Sequence, residues 1–190
     1  MKRKNLALAL TTLLCTSSAF AAPEGPPKSA TVNGGTIKFI GSLVDAPCVL
    51  DQPTGGRVVD LQQFRVADLN KAVGDVTPAR DFDIKLTDCS VETYKKARVN
   101  FNGVSVAGKN TILALDGGIA GAESASGVGI QILSNGKPVA VDGTSSPAAT
   151  ETTLRPGNTN LRFQAQYIST SKEVKPGAAN ASAEFTITYS

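Results

Sequence analysis

Two cysteines, three aspartates and a pair of glycines are the residues whose type and spacing invite chemistry. Asp81, Asp83 and Asp88 are the nearest cluster of carboxylates, and such a pair could serve a glycosidase as acid and base. Asp83, however, falls on the polar side of an alternating run and Asp88 borders a turn, so a solvated surface accounts for them better. Gly127-Val128-Gly129 carries two of the glycines of a dinucleotide fingerprint but not the third, and it reads as a strand with close backbone approach. Histidine is absent from the whole chain, which removes Ser-His-Asp and Cys-His catalysis and histidine-ligated metals. No Gly-x-Ser-x-Gly elbow and no phosphate loop occurs. Cys48 and Cys89 cannot by themselves assemble a usual zinc site. The expectation is a chain with no catalytic centre, no cofactor and no metal.

What the cysteines do depends on where the chain goes. Lys2, Arg3 and Lys4 open it, an apolar stretch runs over residues 6–14, and Ala19-Phe20-Ala21 supplies a small-x-small cleavage site. That stretch is too short to span a bilayer. Leu13-Leu14 before Cys15 are too bulky for a lipoprotein site. Residues 1–21 therefore read as a cleaved export signal that takes Cys15 with it. The destination is oxidising, and a cysteine pair there is expected to close as a Cys48–Cys89 disulfide. Three of the 19 basic residues leave with the signal, so 16 remain against 16 acidic ones. The alkaline isoelectric point belongs to the signal and gives no reason to expect nucleic acid as a partner. No later stretch is apolar enough to enter a membrane.

Period-two alternation dominates the remaining 169 residues. Phe82, Ile84 and Leu86 alternate with polar residues, as do Ala97, Val99 and Phe101. Leu161, Phe163, Ala165 and Tyr167 alternate with Arg162, Gln164 and Gln166, and Ala181 to Tyr189 repeats the pattern. Each describes a strand with one buried and one wet face. Turn residues punctuate the runs at Pro53-Thr54-Gly55-Gly56, Asn102-Gly103, Asp116-Gly117-Gly118, Asn135-Gly136, Pro156-Gly157 and Pro176-Gly177. Residues 131–133 and 138–141 flank Asn135-Gly136 as a hairpin. Residues 62–80 are the least strand-like and suit a loop or short helical turn. The fold class is all-β, an antiparallel sandwich of immunoglobulin-like type. Residues 22–29 form a Pro-rich leader, and a strand-like run over residues 32–44 follows it.

Both ends carry features that belong together. The chain finishes in Phe185-Thr186-Ile187-Thr188-Tyr189-Ser190, with Gly177 fourteenth from the end. Near the start, Thr31-Val32-Asn33-Gly34-Gly35-Thr36-Ile37-Lys38-Phe39-Ile40-Gly41 precedes Cys48-Val49. These motifs, with the stretch ending in Asp88-Cys89, with Gly127-Val128-Gly129-Ile130-Gln131-Ile132 and with the strand at residues 161–167, resemble the type 1 major pilins of chaperone–usher fimbriae. The resemblance covers nearly all of residues 31–190. Its leader is longer and richer in proline than the usual type 1 start.

The resemblance implies an incomplete immunoglobulin-like sandwich lacking its final strand, completed by donor-strand exchange. It divides the chain into the signal at 1–21, a donor-strand extension at 22–41 and a pilin domain at 42–190. It implies four kinds of contact: copies of the chain, other pilins of the fibre, a periplasmic chaperone and an outer-membrane usher. It places the exported subunit in the cell-surface fimbrium, supporting adhesion. Gly177, Phe185, Ile187 and Tyr189 would form the groove edge and the surface the chaperone recognises. If Gly35 faces the groove, period two puts Asn33, Ile37, Phe39 and Gly41 beside it. Two readings of Gly34-Gly35 stand, a shallow point of the groove or a flexible joint. Likewise Ile37 and Phe39 belong either to the donor or to the subunit's own first strand. A minor adaptor of the same fibre and a free-standing binding sandwich are the rival functions.

Overall fold

A computed structural model of the chain describes residues 29–41, 43, 45–53, 55–117 and 123–190. The expected signal (1–21) and the first part of the leader (22–28) lie outside these residues. So do Ser42, Val44, Thr54 and Gly118. The chain divides into two units, Met1–Ser42 and Leu43–Ser190.

Among the described residues ten strands build the second unit: β1 (Val49–Asp51), β2 (Arg80–Cys89), β3 (Lys96–Gly103), β4 (Ser105–Val106), β5 (Lys109–Leu113), β6 (Val128–Ser134), β7 (Lys137–Pro138), β8 (Thr152–Thr153), β9 (Gly157–Ser169) and β10 (Ala183–Tyr189). The larger sheet has the order β1-β2-β9-β6-β5-β4, with β7 on β6, and the smaller has the order β10-β3-β8. All named pairs are antiparallel. The alternating runs become the strands they describe. Ile84, Leu86, Val99, Phe101, Ile130, Ile132, Leu161, Phe163 and Ala165 all fall in one buried cluster. The core is built from Val, Ile, Leu and Ala around a small phenylalanine group.

Residues 62–80 contain a single 3-10 turn at Val66–Asp68. The turns after it are stitched to the end of β9 by backbone hydrogen bonds between Ser169 and both Gly74 and Asp75, and by the Ser169 hydroxyl. Ser169, only 1% exposed, accepts hydrogen bonds from the Gly74 and Asp75 amides and donates to the Ala72 carbonyl. Asn135-Gly136 makes the expected tight turn, with φ of 49° and 73°. Its second strand is shorter than the pattern suggests, because only Lys137–Pro138 pair with β6. Val139 still donates to the Ile132 carbonyl, but Val141 donates to Asn110 instead and is fully buried. Gln166 also departs from its wet-face expectation. It is 9% exposed and donates to Gln131 Oε1 at 3.0 Å across the β6–β9 pair, so two buried amides satisfy each other.

Cys48 and Cys89 are bonded and buried, tying the approach to β1 to the end of β2. A bulge precedes Cys89, where Asp88 takes φ 51°. Gly129 lies on the central strand β6, and a Cβ there would meet Ile112 Cγ2 at 2.5 Å and Leu113 O at 2.7 Å. The close backbone approach expected at this motif is real.

The run over residues 32–44 departs from its pattern. Its described residues form no strand, and Val32, Ile37, Phe39, Ile40 and Leu43 are 78–104% exposed. The reason is physical. An alternating segment becomes a strand only beside a partner that takes up its amides and carbonyls. At Gly35 the backbone turns to φ 92°, and the Asn33 side chain accepts from the Gly35 amide at 3.0 Å. A strand running through this point requires that small turn to open.

Candidate functional site

The site begins with the edge of the smaller sheet. β10 pairs with β3 in continuous register from Ala183↔Gly103 to Tyr189↔Ala97, and its other edge has no strand beside it among the described residues. Its sequence alternates, so Ala183, Phe185, Ile187 and Tyr189 all turn toward the core. They are only half-buried, although β3 next to them buries Ala97, Val99 and Phe101 fully. The inner face of a sandwich edge strand is closed when another strand covers the gap between sheets. Here that gap is open.

The opposite wall is the chain between β1 and the 3-10 turn. Val59 and Leu61 point inward while Val58 and Asp60 face water, so the segment alternates without forming a strand. Between the two walls runs a groove with a cavity volume of ≈ 360 Å³. Its floor includes Phe82, Ile84, Phe101, Leu113, Ile130, Ile132 and Ala165. Phe82 stacks on Phe163 at 5.6 Å, and Phe101 meets Phe163 edge-on at 5.1 Å and lies 6.5 Å from Phe185. Among the described residues no carboxylate lines the groove, and the one cationic side chain is Arg57. Such a surface suits an extended apolar segment. A bare strand edge beside an apolar groove is also a ready template for aggregation.

The predicted edge residues do not all meet. Phe185 lines the groove, and Ile187 and Tyr189 continue its face along β10. Tyr189 lies 6.3 Å from Tyr94, and Ser190 exchanges backbone hydrogen bonds with Lys95 and Lys96, which pins the C-terminus to β3. Gly177 lies outside β10 and lines the neighbouring cavity instead. A Cβ at Gly177 would fall 2.4–2.5 Å from backbone atoms of Ala125, Glu123 and Ser124. Glycine is needed there for close passage of two chain segments. Gly177→Val is expected to cost about 1–3 kcal/mol in urea denaturation of the subunit. An unchanged midpoint would show that the segment at 123–125 yields freely.

Burial pushes the Tyr189 phenol above its ordinary value of 10.0. Burial does the same for Tyr167, and the Asp60 charge adds to it. In each case the folded state holds its proton more tightly than the unfolded chain. Stability from these groups is therefore complete below pH 10 and lost as pH rises through the folded value. Urea midpoints measured from pH 8 to 11 should be flat and then fall, and Tyr189→Phe should shallow the fall.

Sequence reasoning passed over three parts of the site. The wall at Val59 and Leu61 sits after a turn motif that hid a five-residue alternation. Leu43, 104% exposed, continues the parity of residues 35, 37, 39 and 41 by one more step. The floor residues were legible as core, but their exposure to a groove was not. The carboxylates are ordinary surface groups, with Asp81 accepting from Gln164 Nε2 at 2.8 Å. No group of three potential metal ligands exists among the described residues.

The profile of the family described as Fimbrial protein matches residues 37–190. The chain belongs to that family. It is 40% identical to the fimbrial subunit type 1 of Klebsiella pneumoniae and 40% identical to the type-1 fimbrial protein A chain of Escherichia coli, each over the full length of both chains. The P pilus rod subunit PapA superposes with a TM-score of 0.64 at 27% identity, over 76% of this chain and 100% of PapA. A chaperone–usher pilus solved for its rod uncoiling gives 0.68 at 27% identity, over 85% of this chain and 100% of that one. The fimbrial subunit thus has the immunoglobulin-like pilin fold, and it is a structural subunit of a chaperone–usher fimbria, exported to the cell surface. The family is one of structural pilins rather than enzymes. No helix among the described residues is long and apolar enough to cross a membrane.

Proposed function

We propose that this fimbrial subunit forms the shaft of its fibre by donor-strand exchange, residues 22–41 of one copy filling the groove of the next. The observation that carries this reading is the half-buried inner face of β10 together with an extension whose apolar residues are almost wholly exposed. The two are complementary in kind. The groove lacks one alternating apolar strand, and Ile37 and Phe39 lie two apart on a segment without a partner. Burying each contributes roughly 1.5–3 kcal/mol, before the entropy lost in ordering the extension. Main-chain hydrogen bonds to the free edge of β10 set the register. Gly41 and Leu43 continue the same face, while Gly35 serves it only after its turn opens.

The same exposed groove calls for a guardian before assembly, which is the role of the periplasmic chaperone. The outer-membrane usher is where the incoming extension displaces it. The assembled fibre supports adhesion of the cell to surfaces. The test is electron microscopy of a fimbria-free cell making this chain with its chaperone and usher, beside a deletion of residues 22–41. Fibres are expected from the full chain and none from the deletion, whose subunit should still be recovered bound to chaperone. Normal fibres from the deletion would reject the donor assignment.

A further inference from the structure

We propose that the groove does not end at Ala181 but continues into a second cavity, which receives residues 45–47 of the same incoming copy. The proposal rests on the donor-strand reading and extends its footprint. The second cavity, of ≈ 450 Å³, shares both walls with the first. Residues 62–64 follow directly on the wall that carries Val59 and Leu61, and residues 174–180 lead directly into the wall that carries Ala181 and Ala183. Its floor is a small apolar cluster of Leu69, Val128 and Val174, with Phe64 set edge-on to Tyr167 at 6.2 Å. Two cavities flanked in succession by the same two chain segments form one trough.

Direction decides what enters it. Every pair of named strands is antiparallel, and an added strand is best bonded when it runs antiparallel to β10. A donor in that direction steps backward along the acceptor as its own sequence advances. With Phe39 and Gly41 in the groove, the residues after Leu43 pass Ala181 and come level with residues 177–179. They cannot swing far away. Cys48 is already buried in the donor's own domain, and five residues of extended chain span only about 17 Å.

The chemistry of the segment suits the cavity. Asp45, Ala46 and Pro47 offer one carboxylate and two compact apolar side chains. Lys175 stands on the cavity wall, its side chain 67% exposed and paired only loosely with Glu173 at 3.8 Å. The exposed Asp45 carboxylate of the incoming copy supplies the opposite charge, and the exposed Ala46 lies over the floor. Pro47, half-buried with its carbonyl accepting from the Ser90 amide of its own domain, sets the near limit of the segment. The donor domain is thereby seated against its acceptor rather than hung from a single strand.

Photo-crosslinking in assembled fibres tests this, with benzoylphenylalanine placed at Ala46 in one strain and at Phe39 in another. The probe at Ala46 is expected to join a neighbouring copy at residues 62–64 or 174–180, read by mass spectrometry of the crosslinked peptides. The probe at Phe39 should join the neighbour at groove residues such as Phe82 or Phe185. If the Phe39 probe reaches the groove while the Ala46 probe joins only other surfaces, the second cavity is not a docking site and the donor reading survives. If the Phe39 probe also misses the groove, the donor reading itself falls and this inference with it.

Discussion

Replacing Phe39 with lysine is expected to abolish fibre assembly while leaving the isolated subunit as stable as before. Phe39 is 92% exposed in the free chain, so its own fold loses no packing, and exposed substitutions of this kind change stability by only about 0.5 kcal/mol or less. On the proposed donor-strand reading the change acts twice in the groove. It forfeits roughly 1.5–3 kcal/mol of apolar burial. It also brings an ammonium over a floor of phenylalanines and aliphatic residues, which costs several kcal/mol unless the charge is paired. Lysine is the informative choice because Arg57 lines the groove, so an introduced aspartate could find a partner. No carboxylate lines it among the described residues, so lysine has no partner on the groove lining. The combined effect, on the order of 4 kcal/mol or more, weakens each junction about a thousandfold. Fibre counts by electron microscopy and urea midpoints of the chaperone-free subunit measure the two sides separately. Normal fibres would mean that Phe39 does not enter the groove. A lowered midpoint with lost fibres would mean that Phe39 belongs to the subunit's own fold.

The second large effect concerns the domain itself. The Cys48–Cys89 bond has a sequence separation of 41, and on the chain-entropy account a loop of that size stabilises the fold by about 4 kcal/mol. Loss of that amount matters more here than in a closed sandwich. Ala183, Phe185, Ile187 and Tyr189 are only partly buried on the open inner face, so the subunit is left with a thinner margin. Both sulfurs sit inside the main core cluster, and the bond anchors the approach to β1 against the bulged end of β2. Cys48→Ser with Cys89→Ser should therefore lower the periplasmic yield several-fold and shift the urea midpoint strongly downward. The wild-type chain in reductant should follow the same curve. Equal midpoints with and without reductant would show that the core holds without the bond.

Much of this architecture was legible in residue order because strands with one wet face advertise themselves at period two. Phe82, Ile84 and Leu86 on β2 and Leu161, Phe163 and Ala165 on β9 landed on the buried face their spacing describes. The cysteine pair followed from the export signal and the absence of histidine. The parity of Ile37, Phe39 and Gly41 was equally plain, since alternation is a property of the segment alone.

Tertiary structure decided what alternation cannot express. Gln166 carries the polar signature of a wet face, yet it is buried because β6 places Gln131 within hydrogen-bonding distance. Gly177 looked like part of the C-terminal edge, but what demands glycine there is backbone from residues 123–125, distant in sequence. The groove is the clearest case. Each residue of β10 is an ordinary strand residue, and nothing in its sequence says that one neighbour is missing. An open edge is a statement about which strands are absent beside it, and only the assembled sheets count them. The residues that line the gap were therefore set by sequence, and the gap itself by the pairing of β10 with β3 alone among the described residues.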